Sequence, residues 1–159
     1  MSSESDSRTG TVVAHHGVAV AVRFDDGEYG RLSLRRSNTV VVGDRIEAEG
    51  EVFRVLPSSG VLRRRDHHGR VRAVAAHLDL LGIVLAPVPV SPVGFVDRAL
   101  VAARSAGVEP LVLINKCDLP GTEALLQELS ERYQNASRVI AVSAHAQTGL
   151  DEIRSWLAP

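Results

Sequence analysis

Short segments rich in apolar residues occupy the first 56 residues, and clusters of Gly, Asp and His separate these segments. Such segments between turn signals predict β-strands, the clear alternation of charged and apolar residues over 45–49 predicts a half-buried one, and Asp25-Asp26-Gly27 predicts a hairpin turn. Five or six short strands within about 65 residues indicate a small β-barrel, for which an OB-fold is the first candidate and an SH3-like barrel the second. The segments that predict strands are 10–14, 18–24, 28–34, 45–49 and 52–56.

The pattern changes in the second half, where continuous apolar runs alternate with segments of helical length. The runs, which predict buried strands of a parallel sheet, are 81–85, 111–114 and 139–142. The predicted helices span 93–106, 122–134 and 150–157. Gly107 ends the first of these helices, and Thr122 is the predicted N-cap of the second. The predicted fold class is an N-terminal OB-fold-like barrel followed by a partial three-layer α/β domain with three parallel strands.

The charge distribution also divides the chain into two parts. The formal net charge is −1, but residues 8–72 contain twelve Arg against eight Asp and Glu, a net charge of +4. Residues 73–159 contain five Arg and one Lys against nine acidic residues, a net charge of −3. This asymmetry indicates two domains with different partners. We expect a disordered tail over 1–8, the barrel over 9–73 and the α/β domain over 74–159.

Cysteine and apolar content argue against several classes of protein. The single cysteine, Cys117, allows no intrachain disulfide, which fits a reducing cytoplasm. No apolar run reaches the roughly 18 residues of a membrane span, and the polar N-terminus lacks the apolar core of a signal peptide. The pairs His15-His16 and His67-His68 lack cysteines or clustered carboxylates at ligand spacing, so we expect no metal site.

The segment Asn115-Lys116-Cys117-Asp118 follows a predicted buried strand, at the edge where open α/β sheets bind ligands. An ionised carboxylate accepts two hydrogen bonds, so Asp118 suits the N1–H and exocyclic amine of guanine. Adenine offers no such pair of donors. Asn115 can hold the loop and reach guanine N7, and the stem of Lys116 can lie along the face of the base.

Ser143-Ala144 follows the next predicted strand and can present a backbone N–H to guanine O6. Asn-Lys-x-Asp alone is weak evidence, because four-residue patterns recur by chance. In this chain the pattern follows a buried strand, and a helix and a second strand that ends in Ser-Ala come after it. This order predicts a guanine-binding site. The alternative is an α/β domain with ordinary polar residues at its strand ends.

The segment 57–72 is strongly basic, and we expect it to be an exposed loop that contacts nucleic-acid phosphates. The alternative is a solvated linker. With 4% aromatic residues, the chain has few platforms for base stacking, which favours docking on folded RNA through phosphate and shape. The candidate RNA-binding residues are Arg35, Arg36, Arg63, Arg64, Arg65 and Arg70.

Several segments together resemble the RsgA (YjeQ) family of circularly permuted GTPases, which act in maturation of the small ribosomal subunit. The resemblance covers nearly the whole chain and lies in 12–17, 41–44, 74–79, 97–103 and 115–118. It implies a P-loop-GTPase-type α/β domain that binds GTP or GDP, with the small subunit and its rRNA as partners. In the full-length family, Mg²⁺ and zinc are expected as well, but not in these residues.

The resemblance is incomplete, because no Gly-x-x-x-x-Gly-Lys-[Ser/Thr] P-loop occurs in the 159 residues. His77 also stands where the family resemblance leads us to expect Asn. We therefore expect the N-terminal part of a cytoplasmic GTPase, without catalytic residues and inactive alone. The alternative is a non-enzymatic RNA-binding or protein-interaction module with a vestigial GTPase half. Without a P-loop strand, the strand over 81–85 would have an open edge, through which we expect self-association. The alternative is that the final helix or the loop 87–92 covers this strand.

Overall fold

The computed structural model describes residues 7–35 and 39–157, which form two compact units. The first unit extends to Asp79 and the second begins at Leu80, six residues after the boundary expected from the sequence. Residues 1–6 of the expected tail and the candidate residue Arg36 lie outside the described residues. Arg8 was expected in the tail but is the first residue of the first strand. No helix in the described part of the chain is long and apolar enough to cross a membrane.

The first unit is built on a five-stranded antiparallel sheet. Its strands are β1 (Arg8–His15), β2 (Ala19–Phe24), β3 (Tyr29–Ser33), β4 (Arg45–Glu49) and β5 (Val52–Val55). Their order is β3-β2-β1-β4-β5, so β1 is central and pairs with β2 and β4. The register of β1 with β2 shifts between Val12 and Ala14, as in a β-bulge. The predicted hairpin turn is present, with Gly27 at φ 89°.

The sheet curls around a core formed by alternate residues of its strands. Val12 of β1 is opposite Val22 of β2, and both side chains are fully buried. Phe24 packs over Gly30 of β3 so closely that a Cβ at Gly30 would lie 2.6 Å from the ring. A larger residue there would displace Phe24 from the core. The other members of this core are Val20, Leu32, Val40, Ile46, Ala48 and Phe53.

The basic segment 57–72, which we expected to be a loop, contains most of a β-hairpin. β6 (Leu62–Arg65) pairs with β7 (Val71–Ala75) in antiparallel register. Asp66 shapes the turn, because its Oδ1 accepts hydrogen bonds from two backbone N–H groups, both at 2.9 Å. The loop prediction is wrong. Consecutive arginines show no hydrophobic alternation, so the sequence pattern does not indicate a strand here. The hairpin is formed instead by backbone pairing and by the turn at Asp66.

The loop before β4 connects the sheet with the chain that follows β7. The N–H of Ala76 donates a hydrogen bond to Val42 O at 3.0 Å. Gly43 has φ 92°, and a Cβ there would lie 2.0 Å from Ala76 O, so this crossing requires glycine. Asp44 is buried, and its Oδ1 accepts a hydrogen bond from Ser58 Oγ at 2.8 Å. These contacts attach the segments on both sides of the hairpin to the loop.

The second unit contains a three-stranded parallel sheet and three helices. Its elements are β8 (Leu80–Leu85), α1 (Phe95–Ala106), β9 (Glu109–Ile114), α2 (Thr122–Tyr133), β10 (Arg138–Ala141) and α3 (Leu150–Leu157). The strand order is β10-β9-β8. The strand that precedes the Asn-Lys-x-Asp motif is therefore central, and β8 is at an edge. The predicted arrangement of three parallel strands with helices is confirmed.

Helices cover both faces of this sheet, which gives the unit three layers. On one face, α1 and α2 contribute Leu100 and Leu129 to a core that includes Val112. On the other face, α3 contributes Trp156 to a smaller cluster that includes Leu111. Leu111 and Val112 are neighbours in β9, and they reach opposite faces because successive strand residues alternate. The continuous apolar run in β9 is thus explained by burial on both faces.

One predicted capping residue has a different role. Thr122 is the first residue of α2, and the N-cap position is occupied by Gly121 at φ 86°. The Thr122 hydroxyl donates a hydrogen bond to Leu119 O at 2.9 Å instead of accepting one from a helix N–H. Thr122 therefore stabilises the loop that follows the Asn-Lys-x-Asp motif rather than the end of the helix.

Candidate guanine-binding site and basic surface

The ends of β9 and β10 bring the Asn-Lys-x-Asp and Ser-Ala segments together. The N–H of Asn115 donates to Leu85 O at 2.8 Å, which continues the pairing of β9 with β8. The N–H of Cys117 donates to Val142 O at 2.9 Å, so the motif loop is attached to the end of β10. Both polar segments therefore lie at the carboxyl edge of the parallel sheet, where open α/β sheets bind ligands.

Asn115 links the two segments through its side chain. Its Oδ1 accepts hydrogen bonds from the N–H groups of Lys116, at 2.8 Å, and Ala144, at 3.1 Å. The Ala144 N–H, which we expected to meet guanine O6, already has a partner in this structure. Its contact with O6 stays a prediction, and the N–H would have to leave Asn115 or serve both acceptors. Asn115 Nδ2 has no partner in another described residue and can donate to guanine N7.

Ser143 fixes the orientation of Asp118. The Ser143 side chain is fully buried, and its hydroxyl donates a hydrogen bond to Asp118 Oδ1. The same hydroxyl accepts a hydrogen bond from the N–H of Ala146 at 3.0 Å. The bond from Ser143 lowers the pKa of the Asp118 carboxyl below its usual value, and the charges of His145 and Lys116 lower it further. The carboxylate therefore stays ionised at neutral pH and keeps acceptor capacity for a ligand.

Lys116 is held by a contact that sequence reasoning missed. Its backbone has φ 63°, in the left-handed region, and the Asn115 side chain accepts its N–H. Its Nζ donates a hydrogen bond to Val88 O at 2.8 Å, in the proline-rich segment that follows β8. No sequence pattern indicates this pairing, because the two residues are 28 positions apart. The predicted position of the Lys116 stem along a base stays a prediction.

The candidate RNA-binding arginines among the described residues are exposed, but they differ in their partners. Arg63 donates to Val61 O at 3.3 Å, and Arg65 donates to Gly69 O at 3.0 Å. The guanidinium groups of Arg64 and Arg70 make no ion pair or hydrogen bond with the described residues. Arg35 is exposed after β3. The described part of the chain contains no group of three side chains that could hold a metal ion.

The opposite residues of the hairpin show how these charges are distributed. Arg64 is directly opposite Arg72, whereas Arg63 is opposite Ala73. Because directly opposite residues share a face, Arg64 lies on the face of Arg72, and Arg63 lies on the other face. Arg72 is paired with Asp66 at 2.9 Å. The hairpin therefore presents cations on both of its faces.

Comparison with known proteins agrees with the predicted family. The family model described as RsgA GTPase matches residues 55–159. This chain belongs to the RsgA GTPase family. Proteins named small ribosomal subunit biogenesis GTPase RsgA, from Pseudomonas savastanoi pv. phaseolicola and Pseudomonas putida, are 38% identical to it over 168 and 165 residues. The alignments cover 94% and 93% of this chain but 48% and 47% of those proteins, so the chain spans about half their length.

A solved structure supports the same assignment at the level of the fold. The crystal structure of YjeQ from Thermotoga maritima matches with a TM-score of 0.72 and 27% sequence identity, over 95% of this chain and 57% of that one. The family and fold class predicted from the sequence are therefore confirmed. The RsgA match includes the Asn-Lys-x-Asp and Ser-Ala segments and the basic hairpin, since all of them lie within residues 55–159.

Proposed function

We propose that this chain provides the guanine-recognition part of a GTPase of small-ribosomal-subunit biogenesis, together with a barrel that docks on rRNA. The observation that carries the proposal is the arrangement of Asp118 at the carboxyl edge of the parallel sheet. One of its carboxylate oxygens is held by the buried Ser143 hydroxyl. Asn115 fixes the adjacent loops and leaves its Nδ2 without a partner in the described residues. A cytoplasmic location follows from this role.

The proposed ligand is GDP or GTP, recognised through its base. In this proposal Asp118 accepts the N1–H and the exocyclic amine of guanine, while Asn115 Nδ2 donates to N7. Adenine N1 carries no hydrogen, so an adenine base would leave the acceptor oxygens of Asp118 without matching donors. The sequence lacks the P-loop that would hold the phosphates and Mg²⁺, so we expect weak binding and no hydrolysis by these residues alone.

Titration of the isotope-labelled chain with GDP, IDP and ADP, followed by amide NMR, tests the proposal. Inosine retains N1–H but lacks the exocyclic amine, so IDP should bind more weakly than GDP, and ADP should bind least. The shifts should concentrate on the amides from Asn115 to Asp118 and from Ser143 to His145. Equal shifts with GDP and ADP would contradict guanine recognition and favour the alternative, a non-enzymatic RNA-binding or protein-interaction module.

The barrel and its hairpin are the proposed rRNA-binding part, and the small ribosomal subunit is the proposed partner. The relatives carry that subunit in their names. Exposed cations without an acidic partner, such as Arg64 and Arg70, support contact with phosphates. The chain should bind purified small subunits more tightly than large subunits, and an Arg64→Ser/Arg70→Ser variant should lose part of that binding. Equal binding to both subunits would indicate that the barrel and its hairpin attract polyanions in general and do not recognise the small subunit.

Self-association through β8 also stays a proposal. β8 is at an edge of the sheet, and Val84 on this strand is 55% exposed. An apolar edge strand without covering groups is a template for pairing with another strand. Sedimentation at several concentrations should show a dimer whose formation protects the β8 amides from hydrogen exchange. A monomer at all concentrations would contradict the proposal.

A further inference from the structure

The outer face of the barrel carries one exposed aromatic ring. Phe24 and Phe53 are 7% and 9% exposed and belong to the core, whereas Tyr29 is 72% exposed. Residues 1–79 contain no other Phe, Tyr or Trp. Tyr29 is the first residue of β3 and lies directly opposite Arg23 of β2. Its ring is therefore available to a ligand from the solvent side.

Two arginines flank this ring without being neutralised. Arg23 is opposite Tyr29, and Arg31 is two residues further along β3, so all three side chains lie on the same face. Both arginines are exposed, and neither makes an ion pair or hydrogen bond within the described residues. Nearby acidic groups have other partners, since Arg8 pairs with Asp26 and Glu28 and Arg45 pairs with Asp25.

The backbone under this group is firmly positioned. β2 and β3 pair in regular register from Ala19 opposite Ser33 to Arg23 opposite Tyr29. Phe24 fills the space over Gly30 on the inner face, which leaves the residues on either side of Gly30 on the outer face. An aromatic ring on a rigid strand, with a cation on its own strand and another on the neighbouring strand, suits a planar group that carries a phosphate on each side.

We propose that the outer face of β2 and β3 binds one unpaired nucleotide of RNA, with its base stacked on Tyr29 and its flanking phosphates on Arg23 and Arg31. Stacking on a tyrosine is tolerant of base identity, because every base has a π-face. A single exposed ring accommodates a single base, which is consistent with an RNA that is otherwise folded. This inference rests on the proposed RNA binding and assigns a site beyond the basic hairpin.

Two probes separate stacking from charge: an unstructured single-stranded oligoribonucleotide and an abasic phosphodiester oligomer of the same length. Fluorescence anisotropy with the full chain measures their binding. Tyr29→Ala should weaken binding of the oligoribonucleotide by at least about fivefold, the lower end of base–aromatic stacking, and leave the abasic oligomer unchanged. Tyr29→Phe should retain binding, because the ring is kept.

The proposed phosphate contacts of Arg23 and Arg31 are tested by measuring how binding of both probes depends on salt. Arg23→Ser/Arg31→Ser should reduce the slope of log K against log salt by roughly 1.4, or about 0.7 for each phosphate contact. Arg54→Ser is the matched control, because Arg54 is exposed but paired with Glu47. It should change the slope less than the double variant does.

Three results would overturn the subsite. The first is that Tyr29→Ala binds the oligoribonucleotide as tightly as the parent chain, and the second is that it loses equal affinity for both probes. The third is that a poly-glutamate peptide displaces the oligoribonucleotide and itself binds in a manner that depends equally on Tyr29. The last result would indicate an acidic protein segment as the occupant. If Tyr29→Ala has no effect but Arg64→Ser/Arg70→Ser still weakens small-subunit binding, the subsite fails and the proposed function stands. If neither variant affects RNA, the proposed RNA binding fails as well.

Discussion

The two units hold their candidate binding residues in opposite ways. In the second unit, Asn115 Oδ1 accepts two backbone N–H groups, and Asp118 accepts the buried Ser143 hydroxyl. In the first unit, Arg64 and Arg70 are exposed on a hairpin and have no partner among the described residues. Base edges are recognised by directional hydrogen bonds, whereas phosphate contacts depend mainly on charge. The fixed side chains therefore suit the proposed site for a base, and the unpaired cations suit the proposed surface for a polyanion.

The arginines of the first unit show the same distinction among themselves. Arg45 donates two hydrogen bonds of 2.6 Å to Asp25, and Arg72 pairs with Asp66 at 2.9 Å. Exposed ion pairs contribute little to stability, so their main effect is on the pattern of charge. They neutralise acidic groups of the barrel, and the unpaired arginines then carry its net positive charge.

The largest effect is expected at Gly149, where the backbone of the candidate guanine site leaves no space. Gly149 has φ 73°, and a Cβ there would lie 2.7 Å from Ala141 O. Gly149→Ala should cost about 1–2 kcal/mol through its φ angle, and the clash should add to this. Urea unfolding followed by the fluorescence of Trp156 measures the loss. Gly121→Ala is the control, because Gly121 has φ 86° but open space around its Cβ position. Equal losses would contradict a role for the close contact.

Ser143→Ala should have the next largest effect, a loss of about 0.5–1.5 kcal/mol, because the Ala146 N–H and the Asp118 carboxylate lose their partner in the buried hydroxyl. Ser155→Ala, at an exposed position of α3, is the control and should cost much less. The variant should also raise the pKa of Asp118, so discrimination between GDP and ADP should be lost at a higher pH than in the parent chain. A variant as stable as the parent would show that the Asp118 loop does not depend on Ser143.

The salt dependence of RNA binding tests the proposed role of the arginines in the first unit. Replacing Arg63, Arg64, Arg65 and Arg70 with Ser should lower the slope of log K by about 0.7–0.9 for each phosphate that the variant no longer neutralises. The pair Arg64 and Arg70 should account for more of the change, since the other two guanidinium groups already donate to backbone carbonyls. An unchanged slope after all four replacements would mean that the hairpin only links the segments on either side of it and does not contact phosphates.

The smallest effect is expected from acid pH on the barrel. Hydrogen bonds from Arg45 and Thr9 lower the pKa of Asp25, and Arg54 and Ser7 lower that of Glu47. A lowered pKa in the folded state adds stability above the unfolded value of about 4, and this stability is lost as the pH falls through the folded value. Urea unfolding monitored by amide NMR should therefore show the first unit weakening below about pH 4. An Arg45→Ser variant that keeps the same acid dependence would contradict the contribution of Asp25.

Periodicity was sufficient for most of the fold. The helix 150–157 was predicted with its observed bounds, because an amphipathic pattern follows Gly149 directly. The strand over 45–49 was predictable because Ile46 and Ala48 alternate with charged residues. The hairpin at 62–75 was missed, since its first strand has no buried residue and is held by backbone pairing. A hydrophobic pattern cannot report a strand that buries nothing.

The residues of the candidate site were predictable from the sequence, but the hydrogen bonds that join them were not. The order of Asn115, Asp118 and Ser143 along the chain implied a guanine site, because parallel strands end at the same edge. The bond from Ala144 to Asn115 and the bond from Lys116 to Val88 O join residues far apart in sequence. Such contacts depend on loop conformations, including the left-handed backbone of Lys116, which residue type alone does not determine.

The central claim is that Asp118 recognises the guanine base, and exchange of this carboxylate for an amide tests it most directly. The Kd values for GDP and XDP are measured by amide NMR for the parent chain, Asp118→Asn and the exposed control Asp151→Asn. The amide can donate to the additional carbonyl of xanthine, so Asp118→Asn should shift preference from GDP to XDP by about tenfold, within the roughly 1–3 kcal/mol of a bidentate base contact. Asp151→Asn should keep the parent preference. An unchanged preference for GDP in Asp118→Asn would contradict the account.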